Sequence, residues 1–248
     1  MPWNGCDRAS GADGVRYCGI VAAGNYFVLC ALEEVVLDEP PVRLQATFFE
    51  PGSVEEVATE VRGGGEAVTA IAAPTGAPRD GGTRECDREL RHRGVFPLPY
   101  EESGRRMFQA LAGRGFYVPH ADEGQVEGAV EEGAYREAPV FETNPDGVFC
   151  ALQGRRLPAR RHPLGIQRRI EELVEDHVVD EGGELWFRRI EEIEAAAAAL
   201  AAHRYGVGHA CWLGDPDEAV IVLPGSRLPP KFTGEGVIPP VPRRPLGG

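Results

Sequence analysis

Pro139-Val140-Phe141-Glu142-Thr143-Asn144-Pro145 is the stretch on which the reading of this chain turns. A short apolar strand carries one carboxylate and ends at once in a turn that starts a helix at Pro145. A carboxylate inside an apolar run is costly to bury unless something binds it. At the end of a strand Glu142 is therefore expected to face a cleft, as a metal ligand or a structural anchor. The other role open to it is capping the helix after Pro145, whose dipole favours negative charge. Two further strand-to-loop stretches matter for what they lack. Gly19-Ile20-Val21-Ala22-Ala23-Gly24 and Ala70-Ile71-Ala72-Ala73-Pro74 carry no carboxylate.

Composition narrows the function classes. The formal net charge of −13 argues against nucleic-acid binding driven by overall charge, but it leaves room for a local basic groove. Lys231 is the only lysine, so the positive charge is carried by arginine. No apolar run is long enough to span a bilayer. The N-terminus lacks a basic start followed by an apolar stretch, so no secretion signal is expected and a cytoplasmic location is the default. None of the six cysteines is spaced as C-x-x-C, which argues against a zinc knuckle. Cys18, Cys30 and Cys150 lie in apolar runs and are expected to be buried thiols. Gly63-Gly64-Gly65 lacks the Lys and Ser/Thr of a phosphate loop, and there is no G-x-S-x-G elbow.

Along the chain, residues 1–14 read as a flexible N-terminus and 225–248 as a Pro/Gly-rich tail, with one domain over 15–224 between them. Val15 to Ala22 and Asn25 to Leu32 are β-prone runs joined near Gly24-Asn25, as in a hairpin. Arg43 to Phe49 is a third strand. Ser53 and Glu56 have capping-box spacing ahead of an apolar stripe at Val54, Val57, Ala58 and Val61. Ala67 to Ala73 is a buried strand. Residues 79–137 read as a long excursion over the core, with a helical piece around Arg105 to Leu111. After Val140-Phe141-Glu142, a helical turn is expected at Val148 to Leu152. Amphipathic helices follow over Ile166 to Val179 and Leu185 to Tyr205, then a short strand over Ala219 to Leu223. A hairpin start followed by β-α-β crossovers implies an α/β fold, with a mixed sheet covered by helices.

This order of elements, with these local sequences, resembles the ribonuclease H-like fold and, more closely, the domain of unknown function 429 family of predicted nucleases. The resemblance runs over roughly residues 15–224. It rests on Cys18 to Gly24, on Ala70-Ile71-Ala72-Ala73-Pro74-Thr75-Gly76-Ala77-Pro78, and on Arg84-Glu85-Cys86-Asp87-Arg88-Glu89-Leu90-Arg91. Val140 to Pro145 and Ile193-Glu194-Ala195 with the following Ala run complete it. It implies a mixed five-stranded sheet flanked by helices. It also marks departures: the family usually carries Asp where this chain has Val21, Ala72 and Glu194, and only Glu142 keeps the family's residue type.

The resemblance implies phosphodiester hydrolysis with two divalent ions, one activating water and the other stabilising the leaving oxygen. Mg²⁺ or Mn²⁺ would need converging oxygen ligands, and neither Val21 nor Ala72 can supply one. Glu142 and Glu194 are the candidate catalytic carboxylates, with Glu191 one helical turn before Glu194 as a third metal ligand. Glu194 sits at the edge of the buried stripe, where either a site residue or a charge reaching out to solvent belongs. Arg84, Asp87 and Arg88 are candidate substrate-binding residues, or else a solvated helix face. The basic segment Arg155, Arg156, Arg160, Arg161, His162, Arg168 and Arg169 is a candidate nucleic-acid grip through phosphates, or a surface loop leading into a helix whose acidic half balances it. The resulting expectation is a catalytically impaired family member, a pseudoenzyme that binds nucleic acid or protein. The alternative is a divalent-metal-dependent phosphodiesterase with a rearranged acidic site.

Overall fold

The computed structural model describes residues 14–35, 42–78, 81–112, 140–180 and 183–234. Strands β1 (Arg16–Ala23) and β2 (Tyr26–Val35) form the expected hairpin, and Gly24 takes a φ of 66° at its turn. β3 (Arg43–Phe48) pairs antiparallel with β2. Helix α1 (Val54–Gly63) begins in the capping box read from sequence: the Ser53 N–H donates to Glu56 Oε2 at 2.8 Å and the Glu56 N–H donates to Ser53 Oγ at 3.3 Å. β4 (Ala67–Ala72) pairs parallel with β1, and β5 (Val140–Glu142) pairs parallel with β4. The order β3-β2-β1-β4-β5, antiparallel and then parallel, is the mixed sheet of a ribonuclease H-like core.

Among the described residues the sheet has eight strands, not the expected five, in the order β7-β3-β2-β1-β4-β5-β9-β8. β8 (Ala210–Asp215) and β9 (Ala219–Pro224) form a hairpin that extends the β5 edge. β7 (Val178–Asp180) joins the far edge parallel to β3. Residues 178–179 had read as the end of a helix. That helix, α5 (Pro163–Glu175), stops earlier, because His177 adopts a φ of 62° and turns the chain out of helical geometry. Val174, inside the expected amphipathic helix, is exposed.

Helix α6 (Ile190–Gly206) lies across β1, β2 and β4. It starts later than expected, after a single 3₁₀ turn over Leu185–Phe187. Its alanines from Ala195 to Ala202 are buried, and they let the helix backbone approach the sheet closely. Gly19 makes this possible: a Cβ there would lie 2.1 Å from both Ala195 O and Ala199 N. Helix α3 (Glu102–Ala112) packs with α1, and both cover the opposite face. Helix α2 (Glu85–His92) packs on β8 and β9, while α4 (Pro145–Gln153) packs on α6 and β9. The 79–137 excursion therefore includes two packed helices; its residues 79–80 and 113–137 lie outside the described residues, as do 1–13 of the expected N-terminus.

The expected tail begins as docked structure. Phe232 is buried, its N–H donates to Arg93 O at 3.0 Å, and β10 (Thr233–Gly234) pairs with β6 (Arg155–Arg156). Residues 235–248 lie outside the described residues. Cys18, Cys30, Cys86, Cys150 and Cys211 are free and buried, and burial pushes the Cys18 and Cys150 thiols up to about 11. No helix among the described residues is long and apolar enough to cross a membrane.

Candidate functional site

The strand register decides which side chains can meet. Val21 of β1 stands opposite Ala72 of β4. Both share the face of Gly19, the face against α6, and both are buried in the core cluster that contains the α6 alanines. On β5, Phe141 pairs with Ala70 and tilts against Tyr205 of α6, with ring centroids 4.8 Å apart. Glu142 pairs with Ile71 and so points from the opposite face of the sheet. The side chains of Glu142 and Glu194 therefore belong to different faces, and the expected convergence of Glu142, Glu191 and Glu194 does not form.

Glu142 is instead enclosed by donors. Arg84 Nη1 donates to its Oε2 at 2.8 Å and Arg84 Nη2 to its Oε1 at 2.7 Å. The Thr75 N–H and hydroxyl donate to Oε2 at 2.9 and 3.1 Å. Arg84 also grips Asp87 through Nε and Nη2, each at 2.9 Å. Arg84 is 2% exposed and Glu142 4% exposed. Burial pushes the Glu142 carboxyl above its ordinary range, and the Arg84 guanidinium and the Thr75 N–H pull against that rise. Burial alone would lower the Arg84 pKa; its bonds to Glu142 and Asp87 outweigh this and raise it. The pair is ionic and internally satisfied. Of the three candidate substrate-binding residues, Arg84 and Asp87 serve as this counter-charge, and the exposed Arg88 pairs with Glu85. Glu142 does not cap the following helix. Asn144 does, its Oδ1 accepting from the Gly147 N–H at 2.9 Å.

Glu194 belongs to a second cluster. Arg160 Nη2 reaches Glu194 Oε2 at 2.6 Å and Glu191 Oε1 at 3.7 Å. Burial pushes the Glu194 carboxyl up to about 7; Arg160 and Arg169 act against this rise, and Asp146 and Glu191 add to it. Arg169 is buried and donates to Pro158 O, Gly165 O and Asp146 Oδ1. Two clefts open beside this cluster. The first, of about 460 Å³, lies at the end of the β1–β2 hairpin and is lined by Ala23, Tyr26, Arg160, Arg161, Arg189 and Glu191 among others. The second, of about 320 Å³, is lined by Phe96, Asp146, Arg156, Arg160 and Arg169 among others. Arg160 lines both.

The basic segment is thus divided by structure. Arg169 is a buried strut, Arg168 pairs with Glu171, and His162 caps α5. Arg155, Arg156 and Arg161 are exposed, and Arg161 has no ion-pair partner among the described residues. Sequence reasoning missed Arg189, Tyr26, Phe96 and Thr75. Only the Arg188-Arg189 pair ahead of α6 and the tyrosine just after the Gly24-Asn25 turn could have signalled two of them. The donor set does not suit a pair of divalent ions. Val21 and Ala72 offer no oxygen, Glu142 is committed to Arg84 and Thr75, and Glu191 and Glu194 already hold a guanidinium. No group of three His, Cys, Asp or Glu among the described residues is arranged to hold a metal ion.

Fold and site together define an α/β protein with a mixed sheet and an arginine-lined cleft beside its long covering helix. The family described as "Protein of unknown function (DUF429)" matches residues 28–218, and the chain belongs to that family. The match starts inside β2, so the Cys18 to Gly24 stretch lies outside it. No curated protein matches the chain. The solved structure of RuvC from Thermus thermophilus is similar over 79% of this chain and 97% of its own, at 14% identity and a TM-score of 0.41.

Proposed function

We propose that this chain is a catalytically impaired member of its family that binds nucleic acid through the arginine-lined clefts. The observation that carries the reading is Arg160, which neutralises Glu194 at 2.6 Å while lining both clefts. In a chain with a net charge of −13, the first cleft gathers Arg160, Arg161 and Arg189; Arg160 is paired with Glu194 and Arg189 with Glu192, which leaves the exposed Arg161 as the guanidinium open to a phosphate. Positive clefts with low-dielectric walls concentrate phosphate groups whatever the overall charge. The apolar pair Val21 and Ala72 supports the loss of metal-dependent hydrolysis, because two-ion catalysis needs oxygen ligands at the strand ends.

Thermal unfolding with and without millimolar Mn²⁺, paired with a cleavage assay on mixed single- and double-stranded substrates, tests the reading. The expected result is no metal-induced rise in Tm and no cleavage. Cleavage that needs Mn²⁺ and disappears in Glu194→Gln would instead establish the divalent-metal-dependent phosphodiesterase. A protein partner in place of nucleic acid would show as binding that is insensitive to salt.

A further inference from the structure

Each of the two clefts has one exposed aromatic ring at its edge: Tyr26, 59% exposed, in the first, and Phe96, 76% exposed, in the second. Single exposed apolar side chains are ordinary. These two differ in that their backbones are pinned while their rings stand in water beside guanidinium groups. Tyr26 follows the tight Gly24-Asn25 turn and pairs with Ala23. Its neighbour Phe27 is buried and exchanges two backbone hydrogen bonds with Gly52, at 2.8 and 3.0 Å. Phe96 follows the buried Val95, whose N–H donates to Leu90 O at 3.0 Å. The Phe96 carbonyl accepts from Asn144 Nδ2 at 3.2 Å, and Pro97 comes next. Both rings are therefore presented by rigid backbone, so little ordering entropy is lost when something stacks on them.

We propose that the two clefts form one track for single-stranded nucleic acid. One base stacks on Tyr26, another on Phe96, and the intervening backbone is held at Arg160 and Arg161. The inference rests on the nucleic-acid reading above and adds the substrate class. Alternating aromatic platforms and cations suit a single strand, whose base faces are open, and not a duplex, whose base faces are already covered by their neighbours. The two clefts, of about 460 and 320 Å³, share Arg160 as a lining residue and each carries its own aromatic ring. Asp146 and Glu191 line the walls as well and disfavour phosphate close to them, which leaves the Arg160–Arg161 edge as the backbone path.

The test is fluorescence anisotropy with a labelled oligothymidylate of about ten nucleotides, within the span of single-strand sites. The same measurement uses oligouridylate, an abasic oligomer of the same backbone, and a duplex. Wild-type protein is expected to bind the two base-bearing single strands more tightly than the abasic oligomer or the duplex. Tyr26→Ala and Phe96→Ala should each weaken binding of the base-bearing strands by roughly five- to a hundredfold and leave abasic binding unchanged. Tyr26→Phe keeps the ring and should keep the affinity. Arg161→Ala should weaken base-bearing and abasic oligomers alike. The ratio of thymidylate to uridylate affinity distinguishes a DNA from an RNA ligand. Equal binding of abasic and base-bearing strands, untouched by either aromatic variant, would overturn the stacking track and leave the phosphate grip standing. Binding of none of the oligomers would overturn both.

Discussion

The Arg84 guanidinium holds the Glu142 carboxylate with two nearly parallel hydrogen bonds, 2.8 and 2.7 Å long, while its remaining edge holds Asp87. The most conspicuous carboxylate of the sequence is thus half of a buried ion pair that ties α2 to the end of β5. Breaking such a pair from one side leaves a charge buried without a partner, at a cost of roughly 3–5 kcal/mol. Glu142→Gln and Arg84→Met should each lower the urea midpoint strongly, and the double variant should lose less than their sum. Fully additive losses in that cycle would show that the two side chains are not energetically coupled.

Glu194 gives the fold a pH signature. Its folded pKa of about 7 lies above the ordinary 4.5, so the native state keeps this proton longer than the unfolded chain. The contribution is complete below about pH 4.5 and is lost as pH rises to about 7, on the order of 3 kcal/mol in total. Glu194→Gln cannot ionise. The difference in unfolding free energy between variant and wild type should therefore grow in the variant's favour from pH 5 to pH 7.5, as read by urea melts. A difference that does not change with pH would contradict the burial of this carboxyl.

Gly19→Ala should be severe, because its added methyl would meet the α6 backbone at Ala195 O and Ala199 N, 2.1 Å away. Overpacking typically costs 1–3 kcal/mol, and a clash with backbone belongs at or above the upper end, so about 3 kcal/mol or more is expected. Gly63→Ala, at a position with open space, is the control and should change Tm little.

With Arg160 and Arg161 contacting phosphates, log Kd for a single strand should depend on log salt with a slope of magnitude about 1.4, near 0.7 per contact. Arg161→Ala should lower that slope by about 0.7. A slope that Arg161→Ala leaves unchanged would remove this residue from the interface.

Much of the frame was legible in the sequence because its signals are local. The Ser53/Glu56 capping box, the Gly24-Asn25 hairpin and the continuous apolar run of β4 each depend on neighbours a few residues apart. The short edge strand β7 was not legible, since three residues take their strand character from β3 and from the φ of His177. The long α6 was harder to place than its length suggests, because an all-alanine surface buried against Gly19 has no polar face to mark its register. The site was legible by residue and not by pairing. Glu142, Glu194, Arg84 and Arg160 all stood out, but which cation meets which carboxylate depends on the face of the sheet, and the β4–β5 register determines that face. Tyr26 had only its place after the Gly24-Asn25 turn to mark it, and Phe96 carried no signal until the cleft beside it was visible.

The most direct test of metal-independent binding is the affinity of a labelled single strand measured by anisotropy in EDTA and again in millimolar Mn²⁺, with the product run on a sequencing gel. The same Kd in both buffers and an intact oligonucleotide is the predicted result. Binding that requires Mn²⁺, or a cleaved strand whose cleavage Glu194→Gln abolishes, would contradict the account and return the chain to the metal-dependent nucleases.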